Sequence, residues 1–145
     1  MSRRRYAVVD CARDARLYDA VHRCFDPYCL LAGDLPAVLQ RVSPWLVPLD
    51  DAEPLLALWR REGRDGSWGV FLETSRAPAT VLRRLRQLLQ AQAPDGRPVL
   101  FRFYDPRVLR AYLAQADAQA RAQVLGLTDR ILAESDVLGG VDASL

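Results

Sequence analysis

Apolar and polar residues change period repeatedly along this chain, and those changes delimit its elements. Tyr6 to Asp10 is a short β-branched and aromatic run that reads as a strand. Leu17, Tyr18, Val21 and Phe25 then recur at helical spacing, one stripe of a helix that Asp14 can cap. Asp26-Pro27 stops that helix, because a residue preceding proline is disfavoured in helical geometry, and Tyr28 to Leu31 reads as a second strand. After the Gly33-Asp34 turn, Leu35 to Val42 has room for only a short helix. Ser43-Pro44 opens a third strand, Trp45 to Leu49, and Leu55, Leu56, Leu58 and Trp59 mark the next helix, with Asp50 or Asp51 as its cap and Pro54 in its first turn.

The second half follows the same rhythm. Trp68 to Thr74 alternates Trp68, Val70 and Leu72 against Gly69, Phe71 and Glu73, as a strand with at least one apolar face. Pro78 opens the clearest helix, in which Val81, Leu82, Leu85, Leu88 and Leu89 form a stripe while Arg83, Arg84 and Arg86 point elsewhere. Asp95-Gly96 turns the chain into Pro98 to Arg107, which reads as the buried central strand turning directly into a helix. There Val99, Phe101 and Phe103 share one face, and Leu100, Arg102 and Tyr104 the other. Asp105 can cap the helix that follows, Pro106 suits its first position, and Val108, Leu109, Tyr112 and Leu113 form its stripe. Ala114 to Ala122 favours helix but is poor in core residues, and Val124 to Leu132 reads as a last amphipathic piece.

Strands alternating with helices predict an α/β fold: one domain over residues 1–134 with a mostly parallel sheet of about five strands covered by helices, and a frayed tail over 135–145. The short connection from Leu31 to Trp45 leaves room for an antiparallel strand at that point.

Composition adds exclusions. At 145 residues and 16.3 kDa, with half its residues hydrophobic and 26% charged, the chain fits a single globular domain. A net charge of +2 is too small to imply a nucleic acid, and Arg83, Arg84 and Arg86 read as a solvated helix face. Cys11, Cys24 and Cys29 are odd in number and lack C-x-x-C spacing, so neither a disulfide framework nor a metal site is implied. Arg3, Arg4 and Arg5 resemble the start of a signal peptide, but Asp10 and Arg13 interrupt the apolar run, and no segment approaches the roughly 20 apolar residues that span a membrane. A cytoplasmic protein without membrane insertion is expected.

Catalytic signatures are weak. His22 is the single histidine, faces away from its helix's apolar stripe and has no nucleophile motif near it, and Ser75 has no G-x-S-x-G elbow. Gly63, Gly66 and Gly69 lie between a helix and the next strand, the wrong side for a phosphate loop, so no cofactor is implied. Asp10, Glu73, Arg102 and Asp105 form the candidate polar cluster: near strand ends they could serve a small α/β enzyme or nucleotide-binding domain, and more simply they could pair with the arginine and fix the central strand. Tyr104 and Arg107 are candidate outward anchors for a partner. Trp45 and Trp68 are core candidates that could also anchor an interface.

The segments YAVVDCAR, SPWLVPL, WGVFLETS, LRRLRQLLQ, PDGRPVLFRFYDPRVLRAYL and LGLTDRILAE together resemble the bacterial type VI secretion effector adaptor family, over about Tyr6 to Glu134, with LFRFYDPR the most specific block. The resemblance implies a non-enzymatic adaptor chaperone in the cytoplasm that binds a cognate secreted effector and helps load it onto the VgrG spike. Its shared residues fall on Phe101, Arg102, Phe103, Tyr104, Asp105, Pro106 and Arg107, with Trp45 and Trp68 in the other matching segments. A third reading, a structural or dimerising module, would show an apolar surface covered by a second copy.

Overall fold

The computed structural model describes residues 2–126 and 128–139. Its centre is β1, Arg4–Asp10, whose side chains from Tyr6 to Asp10 are all buried. Burial on both faces suits a run with no strict polar alternation. On one side β1 pairs with β3, Pro44–Pro48, with Val8 opposite Leu46; on the other it pairs with β4, Gly69–Thr74, with Val8 opposite Val70. A two-residue strand β2, Tyr28–Cys29, extends the sheet beyond β3, and β7, Arg130–Leu132, extends it beyond β4. The order is β2-β3-β1-β4-β7.

Each pairing in this sheet is antiparallel, which corrects the expectation of a mostly parallel sheet. Across α1 and α3 the chain returns in the same direction, so β1 and β2 run alike, as do β3 and β4, whereas the short connection through α2 leaves β3 antiparallel beside β2. What the strand–helix alternation does not decide is adjacency. Here β3 is inserted between β1 and β2, and β1 between β3 and β4, so every neighbour runs the opposite way.

Helices cover both faces. Ala7, Val9, Trp45, Val47, Phe71 and Leu132 form one face, packed with α1 (Leu17–His22), α3 (Glu53–Leu58, continued by a π-helical turn over Trp59–Gly63) and α7 (Glu134–Leu138). Tyr6, Val8, Leu46, Val70 and Leu72 form the opposite face, under α4 (Pro78–Leu89), α5 (Pro106–Gln115) and α6 (Ala118–Leu125). The short α2, Ala37–Gln40, buries none of its side chains. Gly69 sits where β4 crosses closest to β1: a Cβ there would run into the Val8 carbonyl oxygen, so a side chain is sterically excluded.

The expected central strand, Val99 to Tyr104, is also corrected. Only Pro98–Leu100 is extended, as β6, and it pairs with β5, Gln90–Gln92, in a separate hairpin whose β6 side chains are exposed. Phe101 to Tyr104 turns instead, with the Asp105 N–H donating to the Arg102 carbonyl oxygen at 3.0 Å, and this turn folds both Phe103 and Tyr104 into the core. Consecutive aromatic residues can be buried by a turn as well as by a strand covered on both sides.

The fifth strand comes from the segment read as a last amphipathic piece, Val124 to Leu132. Residues 130–132 pair with β4, with Leu132 opposite Phe71. The expected tail also divides, because residues 135–138 belong to α7 with Leu138 buried, while residues 140–145 lie outside the described residues. The indole N–H of Trp59 donates to Glu134 Oε1 at 3.1 Å, the Asp65 N–H donates to Glu134 Oε2 at 3.0 Å, and Arg64 Nη1 donates to the Gly139 carbonyl oxygen at 2.8 Å. Leu138→Ala should therefore lower stability by about 2–5 kcal/mol, the usual cost of emptying a buried leucine site. Urea titration distinguishes this from a frayed tail, for which the midpoint would not move.

Candidate functional site

The candidate polar cluster is split by the fold. Glu73 lies opposite Arg5 on β1 and Arg130 on β7, and its carboxylate meets Arg5 at 3.1 Å, Arg3 at 3.6 Å and Arg130 at 3.9 Å. Asp10 is five residues further along β1, a separation of about 17 Å at the rise of an extended strand. Glu73 is thus a cross-strand fastening and not a partner of Arg102.

Asp10, Arg102 and Asp105 do gather near the opposite end of β1, with Arg13 beside them. Asp10 is buried. Its N–H donates to the Trp68 carbonyl oxygen at 2.8 Å, and its Oδ1 accepts from the Ala12 N–H at 3.1 Å. Burial pushes the Asp10 carboxyl above its usual range, opposed by the Ala12 hydrogen bond and by the positive charges of Arg102 and Arg13. Arg102 itself is exposed, so the expected buried ion pair is replaced by an arginine in solvent acting at a distance. The reason is the turn at 101–104, which leaves Arg102 outside while folding its neighbours in.

Asp105 occupies the predicted cap. Its Oδ1 accepts from the Arg107 N–H at 2.9 Å, and the Arg107 guanidinium returns to the same carboxylate at 2.8 and 3.1 Å. This bidentate pair holds the Asp105 carboxyl below its usual range. Pro106 takes the first helical position, where no N–H is needed.

Among the candidate anchors, Arg107 is exposed. Trp45, Trp68 and Tyr104 are buried, Tyr104 only 3% accessible, and the outward orientation expected of Tyr104 is corrected accordingly. Trp68 covers Gly63 and Gly66, whose lack of side chains makes space for its ring. Trp45 packs edge-on against His22 and Tyr18 and donates its indole N–H to the Gln40 carbonyl oxygen at 2.9 Å. Burial pushes the Cys11 thiol up to about 12, which leaves it inert at neutral pH.

Open clefts of about 590, 620 and 670 Å³ mark the described surface, and none is lined by Asp10, Glu73, Arg102 or Asp105. The 590 Å³ cleft runs between the β4–β7 edge and α5, beside Arg107 and Arg110. The 670 Å³ groove lies between the β5–β6 hairpin and helices α4, α5 and α6. Leu88, Phe101 and Tyr112 line it, and Val99 and Leu100 stand at its edge with 42% and 49% of their surface accessible. Sequence reasoning placed Val99 and Leu100 in the core. The signal that could have moved them outward is Pro98, which cannot donate in a sheet ladder and so favours an edge.

Fold and surface define a three-layer α/β domain with an antiparallel sheet and open, partly apolar clefts. The chain belongs to the family described as a domain of unknown function, DUF4123, which matches residues 5–123. That family is associated with the effector adaptors of type VI secretion. No curated protein and no solved structure matches the chain. The family match ends before β7 and α7, so the strand and helix that complete one edge and one face of the sheet lie beyond it.

Asp105→Ala should lower stability by about 1 kcal/mol at neutral pH, the usual cost of losing an N-cap. A carboxyl depressed in the fold stabilises it above the unfolded value and loses that effect as pH falls through the folded value, so wild type and variant should converge in acid. Thermal melts across the pH range check this. Asp10 has the opposite sign: its carboxyl is raised in the fold, so the wild type loses stability relative to Asp10→Asn as pH rises from the ordinary carboxylate range through the folded value. Asp10→Asn, which keeps the acceptor for Ala12, should melt no lower than wild type at neutral pH.

Proposed function

We propose that this protein is a non-enzymatic adaptor chaperone that binds a cognate type VI effector in the cytoplasm and helps load it onto the VgrG spike. The observation that carries this reading is family membership across most of the chain. The surface is compatible with it, since open, partly apolar clefts that include arginine in their lining suit the capture of another polypeptide. Shielding cargo requires binding without modifying it, a task that needs contact area and no reactive group.

Within this reading Arg107 is the contact residue among the four anchors first considered, and Trp45, Trp68 and Tyr104 act by holding the scaffold that presents it. The alternative, a small α/β enzyme or nucleotide-binding domain, needs polar groups converging in one pocket. Asp10, Arg102 and Asp105 share a region but line none of the three largest clefts described above.

Co-expression with the effector encoded beside this gene tests the proposal. The effector should co-purify with the protein or gain solubility from it, and adding the VgrG encoded in the same neighbourhood should give a ternary complex. An effector that neither co-purifies nor changes in solubility overturns the adaptor reading.

A further inference from the structure

The charges of this chain are unevenly placed. Residues 78–126 hold eight arginines, three aspartates and no glutamate, while the rest of the chain has twelve arginines and fifteen carboxylates. Structure sharpens the asymmetry. Helices α4, α5 and α6 carry Arg83, Arg84, Arg86, Arg107, Arg110 and Arg121 and no acidic residue. The three aspartates of the region are occupied locally: Asp95 meets Arg97 at 2.6 Å, Asp105 caps α5, and Asp117 caps α6 through the Ala120 N–H at 2.8 Å. Arg83, Arg84 and Arg110 have no carboxylate partner among the described residues. One helical layer is therefore strongly positive.

The 670 Å³ groove opens in that layer. Leu88, Val99, Leu100, Phe101, Tyr112 and Val124 give it an apolar part, Arg84 and four glutamines line the rest, and no carboxylate borders it. Val99 and Leu100 are exposed on a two-stranded hairpin, a unit that is marginally stable without something packed on it. The hairpin's strands are three residues long, too short for an added strand to gain many backbone hydrogen bonds, so side-chain burial must supply the affinity. A helix laid in the groove buries apolar residues at i, i+3, i+4 and i+7 and needs no sheet edge. A second copy docked through the same face would set this positive layer against itself, which disfavours a two-fold dimer here.

We propose that the groove between the β5–β6 hairpin and helices α4–α6 is a receptor for an amphipathic helix of the effector, with aliphatic anchors on one face and Asp or Glu on its flanks. This assignment rests on the adaptor reading and specifies the chemistry of the segment captured.

The test uses the intact protein and two fluorescein-labelled synthetic helices of about 18 residues, five turns. Both have leucine at i, i+3, i+4 and i+7; one is flanked by glutamate and the other by lysine. Anisotropy should show saturable binding of the glutamate peptide and at least tenfold weaker binding of the lysine peptide. Leu100→Ser and Val99→Ser, at exposed positions that leave the melting temperature unchanged, should each weaken the glutamate peptide about tenfold, and Arg84→Glu several-fold. Absence of saturable binding, equal binding of the two peptides, or indifference to Leu100→Ser overturns the proposal. So does competition by a DNA duplex at equal strength, or a dimer in sedimentation that Leu100→Ser dissolves, which would give the groove to a second copy. The co-expressed effector separates the two levels: if it co-purifies equally with wild type and Leu100→Ser, the adaptor reading stands and the groove falls, whereas an effector that fails to co-purify with wild type sinks the adaptor reading itself.

Discussion

The structure depends on the double burial of β1. With antiparallel neighbours on both sides and helices over both faces, Tyr6 to Val9 have no access to solvent, and alternate side chains feed two separate cores. The rest of the five-stranded sheet and the helices over its two faces are arranged around this strand. β3 and β4 take their register from it, and the helices settle where their apolar stripes meet the side chains it projects. The close approach at Gly69 shows how little slack remains between β1 and β4, since even a methyl group would displace backbone.

Polar groups secure this frame at its margins. Glu73 gathers arginines from two neighbouring strands at one end of the sheet, while Asp10 joins the end of β1 to the turn before β4. Asp105 starts α5, and Glu134 ties α7 to the π-helical turn. The Asp105 side chain accepts from a backbone N–H, Glu134 from a backbone and an indole N–H, and Glu73 pairs with exposed guanidinium groups, while the Asp10 link is made by its backbone N–H. Cys11 and Cys24 are buried and Cys29 half-buried, while the exposed His22 ring lies against Tyr18 and meets Trp45 edge-on.

The two helical layers differ in purpose-bearing chemistry. The layer made by α1, α3 and α7 mixes charges of both signs and is closed by the last described residues of the chain. The layer made by α4, α5 and α6 is positive, carries the hairpin and opens the 670 Å³ groove. A scaffold doubly buried at its centre and apolar at one border is the arrangement on which the proposed adaptor reading draws.

Much of this was legible from local pattern. Four of the five expected strands lie close to their expected positions, the α4 stripe of Val81, Leu85 and Leu89 is buried, and Asp105-Pro106 starts a helix. These features depend on residues a few positions apart, so spacing and capping chemistry decide them. The resemblance carried by LFRFYDPR agrees with membership in DUF4123, though that block sits in a turn and a helix start and not in a central strand. Which strands are neighbours, whether Arg102 faces solvent, and where Leu132 and Leu138 pack were decided only by the tertiary structure. The reason is that the period of a segment shows which of its faces are apolar, whereas the element that covers each face is chosen among distant parts of the chain, by which arrangement buries all those faces together.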